Sequence, residues 1–391
     1  MKIGMLVSEM TVSGGYQKLV LRLTAELAKQ GHEVVVYTRV VNYEKCYPET
    51  IRTADIKSLR KGDDTPVSLK ERLAEYKVLS GIVGPNLDAL ILHDYASFYF
   101  LNSYPYDARI IWMVNNQPPV ELGNWRLHLR QAISKNPVKS LRRIPKLTED
   151  LVDDYRLHKA FRRLDCCAAY DSFNKKLCEK VTGRKSVVVF AGADLEGFEK
   201  ILPGQDYKKK NSYHVLSVGV LFPYRRYEDL IQALAILKRS GMNVSVTIVG
   251  SSTYSPDHLK KLKALAKRLD IREQVVFKEQ VSSKELLSLY KSSDAFVFIN
   301  DGNTWGISVF EAVAAGLPTV ITSNIGAADL IENGRTGWVV PPKDPTQAAE
   351  ALKTILTKRD LAKRVALTAN REVTPIVTWE AYTNRMLDLI K

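Results

Sequence analysis

Short wholly apolar runs alternate along the chain with longer amphipathic stretches. Ile3–Val7 is the first run. An amphipathic segment follows from about Tyr16 to Lys29, with Leu19, Val20, Leu23, Leu27 and Ala28 at helical spacing, and then Glu33–Thr38. Leu87–His93, Arg109–Val114, Cys166–Tyr170 and Lys185–Phe190 continue the series, with an amphipathic helix expected over 148–164 and Ser172 as a helix cap. A polar run, Pro203–Ser212, interrupts it. A second series then begins with His214–Val218, Val244–Val249, Gln274–Phe277, Ala295–Ile299 and Thr319–Thr322. Its helices are expected over Asp257–Leu269, after a Ser283 cap, from Gly306, and from about Pro345 and Asp360. Strands buried on both faces and separated by helices predict parallel sheets. The chain therefore reads as α/β with two Rossmann-like domains.

The most informative stretch is 294–341. After the run ending at Ile299 come the turn formers Asn300, Asp301, Gly302, Asn303 and Thr304. Gly306-Ile307-Ser308-Val309-Phe310-Glu311-Ala312-Val313 then opens a helix, which Gly316 and Pro318 end. Strand, loop, helix and strand in that order place a helix N-terminus at the carboxyl edge of a parallel sheet. Ligands bind there in open α/β sheets, and backbone N–H groups favour a diphosphate. Glu311 cannot bind phosphate, but its carboxylate can accept hydrogen bonds from the two hydroxyls of a ribose. The alternative is a glutamate on a solvated helix face. Gly14-Gly15, between the first run and its helix, lets a ligand approach the backbone or makes only a turn. G-x-G-x-x-G is absent, so no dinucleotide fingerprint is present. Gly250 makes a similar turn after Val249.

The same stretch resembles the donor site of retaining glycosyltransferases of family 4, which have the GT-B fold: two Rossmann-like domains facing across a cleft. The similarity is to a carboxylate, seven residues and a second carboxylate, followed by A-x-A-x-G-x-P. It continues through Ser323, Gly326, Asp329, Asn333-Gly334, Gly337 and Pro341-Pro342. Glu311 matches the second, ribose-binding carboxylate. The first falls at Asn303, an amide that can still hydrogen-bond a sugar hydroxyl. Gly14-Gly15 resembles the family's N-terminal glycine loop. After Gly219 the family shows an arginine and then a lysine that clamp the diphosphate. Here the first is Val220, and Arg225 and Arg226 fall at or beside the second. Lys278-Glu279-Gln280-Val281 resembles the segment that reads the nucleobase, with Val281 as the contact.

The resemblance implies catalytic roles for Arg225, Arg226, Asn303 and Glu311. It implies donor binding by Gly14, Gly15, Gly219, Gly250, Val281, Gly306, Ile307, Ser308 and Glu311. His93, Asn115 and Asn116 become acceptor-side candidates. His93 reads equally as a structural histidine, and the two asparagines stand where the family often has a histidine. Ala191–Phe198 resembles the interdomain linker. It divides the chain into 1–194, the acceptor side, and 195–376, the nucleotide-sugar side, with 377–391 crossing back. The implied reaction moves a hexose from a UDP- or GDP-sugar to a glycan or glycolipid acceptor in cell-surface polysaccharide, glycoprotein or lipid-linked glycan assembly. It needs neither metal nor protein nucleophile. Two other readings stand beside it: another GT-B reaction such as a sugar-nucleotide epimerase, and a catalytically silent nucleotide-sugar-binding protein.

Composition narrows the partners. The chain has 391 residues, net charge +14 and four cysteines without a C-x-x-C pair. The charge suits anionic partners, and the cysteines suit a reduced, cytoplasmic chain without zinc. No apolar run is long enough for a membrane span. Residues 124–146 hold seven basic and no acidic side chains, interleaved with Trp125, Leu127, Leu129, Ile133, Val138, Leu141 and Ile144. That composition suits an anionic membrane face, a basic pocket for a lipid-linked pyrophosphate acceptor, or a solvated insert. Trp125 alone makes no stacking platform, which argues against nucleic acid.

Overall fold

The structure is a computed structural model that describes residues 1–114, 144–202, 206–253, 255–302 and 304–391, with 144–150 as backbone alone. Asn115, Asn116, Asn303 and nearly all of 124–146 lie outside the described residues. Contacts divide the chain into one unit of Met1–Phe190 with Tyr382–Lys391 and another of Ala191–Ala381.

The first unit is built from β1 (Lys2–Met10), α1 (Gly15–Lys29), β2 (Glu33–Val41), β3 (Asp55–Lys61), α2 (Leu69–Val83), β4 (Ala89–Leu92), β5 (Arg109–Val114), α3 (Ile144–Phe161), β6 (Cys166–Ala169), α4 (Ser172–Thr182) and β7 (Ser186–Val188). The strands form one sheet in the order β3-β2-β1-β4-β5-β6-β7, and every pair in it is parallel. The apolar runs form the interior: Ile3, Met5, Leu6, Val7, Leu90, Ile91 and Ile111 have no exposed surface. Each such side chain contributes about 1.5–3 kcal/mol on burial. The cap of α4 is Asp171, whose carboxylate accepts from Asn174 N–H at 2.7 Å, rather than Ser172. A carboxylate at that position also meets the positive end of the helix dipole.

The second unit holds β8 (Tyr213–Val218), α5 (Tyr227–Arg239), β9 (Val244–Val249), α6 (Pro256–Arg268), β10 (Val275–Lys278), α7 (Ser283–Ser292), β11 (Ala295–Phe298), α8 (Ile307–Ala314), β12 (Thr319–Thr322), β13 (Trp338–Val340), α9 (Pro345–Thr357) and α10 (Arg359–Val373). Its sheet runs β10-β9-β8-β11-β12-β13, again all parallel. Val246, Ile248 and Val297 sit at 0% exposure in its core. Ser282, not Ser283, caps α7, accepting from Glu285 N–H at 3.2 Å.

In both sheets the strand order reverses once, between β1 and β4 and between β8 and β11. The connections on either side of such a point leave in opposite directions and open a crevice at the carboxyl ends of the strands. The last helix, α11 (Trp379–Ile390), supplies the return segment. Tyr382 is fully buried, and Arg385 donates to the carbonyl oxygens of Val189 at 2.7 Å and Phe190 at 3.0 Å.

Candidate functional site

The loops after β8 and β11 meet at the second unit's switch point. Gly219 follows β8, and its carbonyl oxygen would lie 1.9 Å from a Cβ on Gly250. Gly250, which follows β9, is therefore a close-packing glycine that lets the loops after β8 and β9 touch. After β11 the chain turns into α8 through Gly306, at φ 81° and ψ 51°, a left-handed conformation suited to glycine. Ile307 and Ser308 then occupy the first helical turn, where backbone N–H groups have no intrahelical carbonyl behind them. No acidic residue stands in that turn. The Ser308 hydroxyl donates to the Val218 carbonyl oxygen at 3.0 Å and ties α8 to the end of β8.

Arg225 and Arg226 behave differently. Arg226 is left-handed at φ 47° and its guanidinium forms a fork on Asp229, with contacts of 3.0 and 2.8 Å. This hydrogen bonding raises its pKa above the ordinary value. Arg225 packs its guanidinium 4.6 Å above the centre of the Phe298 ring and 5.4 Å from that of Tyr224. Its Nε would be 3.5 Å from a Cβ on Gly219. Among the described residues Nε and Nη1 of Arg225 are buried without a hydrogen-bond partner, and burial lowers its pKa against the smaller opposing effect of Tyr227 and of the Tyr224 side chain, which hydrogen-bonds the guanidinium. Among the described residues no carboxylate pairs with it. A buried cation with two unused donors is costly unless an anion completes it. Phe298 links this guanidinium to the helix start, since a Cβ on Gly306 would lie 3.6 Å from the same ring.

Glu311 is half-buried in the second turn of α8. Tyr290, fully buried on α7, donates to its Oε2 at 2.8 Å. Tyr290 was not foreseen from the sequence. Its place among the apolar positions of α7 reads as core, and only the register of α7 against α8 turns its hydroxyl to the carboxylate. Val281 is half-buried in the loop after β10. Thus Gly219, Arg225, Gly306, Ile307, Ser308 and Glu311 belong to one local arrangement, with Arg226 engaged by Asp229 beside it. Among the described residues no group of three His, Cys, Asp or Glu side chains is placed to hold a metal ion.

In the first unit, Gly14 is the N-cap of α1 and carries no side-chain cap. Tyr47 braces this loop: its hydroxyl donates to the Gly14 carbonyl oxygen at 3.1 Å and its N–H to Ser13 Oγ at 2.9 Å. Gly15 has open space where a Cβ would stand. His93 follows β4 directly with no exposed surface, its Nε2 at 3.2 Å from Met5 Sδ, and burial lowers its pKa to about 3. It is neutral and faces the core in this arrangement. Asp94, next to it, accepts from Ser8 and Ser97. A cluster that sequence patterning did not reveal lies at the same sheet edge. Arg39, 2% exposed, pairs with Glu75 at 2.6 Å and Asp64 at 3.6 Å.

Residues 199–384 match the family model described as glycosyl transferases group 1. A D-inositol 3-phosphate glycosyltransferase of Paenarthrobacter aurescens is 26% identical over 224 residues, covering 51% of this chain and 54% of that protein. An uncharacterised glycosyltransferase of Methanocaldococcus jannaschii is 30% identical over 195 residues, covering 50% of this chain and 47% of that protein. The chain thus spans about half the length of these curated relatives. Among solved structures, Anabaena HepE in complex with UDP superposes with TM-score 0.74 at 15% identity, covering 99% of each chain. HepE in complex with UDP-glucose gives 0.70, again at 15% identity, covering 99% of this chain and 98% of that one. This likeness establishes the GT-B fold.

Proposed function

We propose that this chain, whose residues 199–384 match the group 1 glycosyltransferase family model, is a glycosyltransferase that moves a hexose from a nucleoside-diphosphate sugar to a glycan or glycolipid acceptor with retention of the anomeric configuration. The observation that carries the reading is the Arg225 guanidinium, with two buried donors unused beside the start of α8. HepE, with the same fold, is complexed with UDP and UDP-glucose.

The donor diphosphate lies between Arg225 and the first N–H groups of α8, at Gly306, Ile307 and Ser308. Glu311, oriented by Tyr290, takes the ribose hydroxyls. Val281 and its loop meet the base. Asn303, which the sequence resemblance assigns to the sugar, lies outside the described residues. As the bond from C1 to the phosphate oxygen breaks, negative charge grows on the departing diphosphate, where the guanidinium and the N–H groups oppose it. The acceptor oxygen bonds to C1 on the same face, and its proton passes to a departing phosphate oxygen. Losing one such charge-stabilising contact costs about 3 kcal/mol, roughly a hundredfold in rate. No protein nucleophile and no metal is needed.

The acceptor belongs to cell-surface or lipid-linked glycan assembly. The basic stretch 124–146 suits a lipid pyrophosphate or the anionic face that holds it. Four free, buried cysteines support a cytoplasmic setting. Incubation with UDP- and GDP-sugars against glycan and lipid-linked acceptors tests the reading, with the product anomer read by NMR. Retained configuration in a transfer product is expected. Nucleotide binding with neither transfer nor hydrolysis under any pairing would contradict it.

A further inference from the structure

A second concave patch, of about 440 Å³, lies at the sheet edge of the second unit, lined by α6, the turn after it and β10. Among the described residues β10 pairs with β9 alone, so no described strand lies on its outer edge. Val275 and Phe277 are two residues apart, on one face of that strand, and form an apolar floor. Lys263 and Lys267 of α6 and Arg272 of the following turn stand round it.

Among the described residues no acidic side chain lines the patch. Lys263 and Lys267 are four apart on one helix, a like-charge spacing that weakens a helix rather than supports it. Glu273 approaches Arg272 only to 3.9 Å, with both side chains mostly exposed. Lys261 and Arg268 add exposed charge along the same helix. The neighbouring acids are engaged elsewhere: Asp257 with Lys260 at 3.0 Å and Asp270 with Lys238 at 3.0 Å. The patch thus combines an apolar floor with a cationic rim whose Lys263 and Lys267 have no carboxylate partner among the described residues, and both suit an amphiphile with a phosphate head.

We propose that this patch seats the phosphate head group of an anionic bilayer lipid, so that the second unit docks on an anionic membrane surface through α6. A soluble phosphate would engage at most the three cations of the rim. A sheet of head groups also reaches Arg268, which follows Lys267 and is exposed at the end of α6. Each cation near such a surface adds to attraction. Its residues are distinct from those of 124–146 and from those proposed for the donor site.

The test is co-sedimentation of the full chain with phosphatidylcholine vesicles with or without phosphatidylglycerol. The Lys263→Gln/Lys267→Gln double variant is run beside an Arg142→Gln/Arg143→Gln control, with circular dichroism confirming that each folds. The unaltered chain is expected to sediment with the anionic vesicles alone. Neutralising Lys263 and Lys267 should lower its partition coefficient roughly thirtyfold, the value for two cations at an anionic surface. Three outcomes overturn the proposal. The unaltered chain could ignore anionic vesicles, or the double variant could partition as the unaltered chain does. Soluble glycerol phosphate could also compete at concentrations matching the accessible lipid, which would make the ligand a free phosphate ester.

Discussion

The Tyr290 hydroxyl donates to Glu311 Oε2 at 2.8 Å, and the Tyr290 phenol oxygen also lies 3.3 Å from the Ser308 carbonyl oxygen. A phenol without solvent exposure thereby holds the carboxylate proposed to bind ribose. Burial, and then the neighbouring carboxylate, push its pKa well above the ordinary tyrosine value, so it remains a donor through the neutral range. The hydrogen bond orients Glu311 rather than merely filling core.

Tyr290→Phe should therefore weaken a nucleoside diphosphate about tenfold, the scale of one hydrogen bond to a charged group. A nucleoside diphosphate lacking both ribose hydroxyls should bind the variant and the parent alike. Calorimetric titration of both ligands separates orientation from general loss of structure. An equal loss for both would mean that Tyr290 acts only through packing.

Gly250→Ala should destabilise the second unit by about 1–3 kcal/mol, as overpacking does. The added Cβ would meet the Gly219 carbonyl oxygen at 1.9 Å, where no side chain can rotate away. Urea unfolding followed by circular dichroism measures the change. A shift within error of zero would show that the two loops separate freely.

His93 predicts a pH dependence with a definite sign. Burial lowers its folded-state pKa from 6.5 to about 3, so the unfolded chain binds an extra proton between those values. The contribution is fully retained above pH 6.5 and is lost as pH falls through that window. The slope is about 1.4 kcal/mol per pH unit for one proton. Stability of the first unit measured from pH 7 downward should fall less steeply in His93→Leu. Parallel slopes would contradict a neutral, buried imidazole.

The sheets were legible because strands buried on both faces are nearly unbroken apolar runs. Arg109–Val114, Val244–Val249 and Thr319–Thr322 appear with the predicted bounds. The stretch 40–85 was not legible. Its strand β3, Asp55–Lys61, is charged and partly exposed at a sheet edge, so neither alternation nor an apolar run announces it. In the second unit, sequence resemblance pointed to two adjacent arginines without choosing between them. The choice lies in the backbone: a left-handed Arg226 turns toward Asp229 and leaves Arg225 over Phe298. Arginine gives no sequence signal for positive φ, as glycine would. Tyr290 was hidden for a related reason, since its function arises from contact between two helices and not from the pattern of either.

The most direct measurement is calorimetric titration of UDP and GDP into the unaltered chain, Arg225→Ala and Arg226→Gly. The proposed site predicts saturable binding of at least one of them by the unaltered chain. It predicts a loss of about a hundredfold in Arg225→Ala, the scale of a buried charged contact left unmade. Arg226→Gly should bind nearly as the unaltered chain does, because its guanidinium is held by Asp229 and glycine accepts its backbone angle. Equal affinity in the unaltered chain and Arg225→Ala would contradict the placement of the diphosphate.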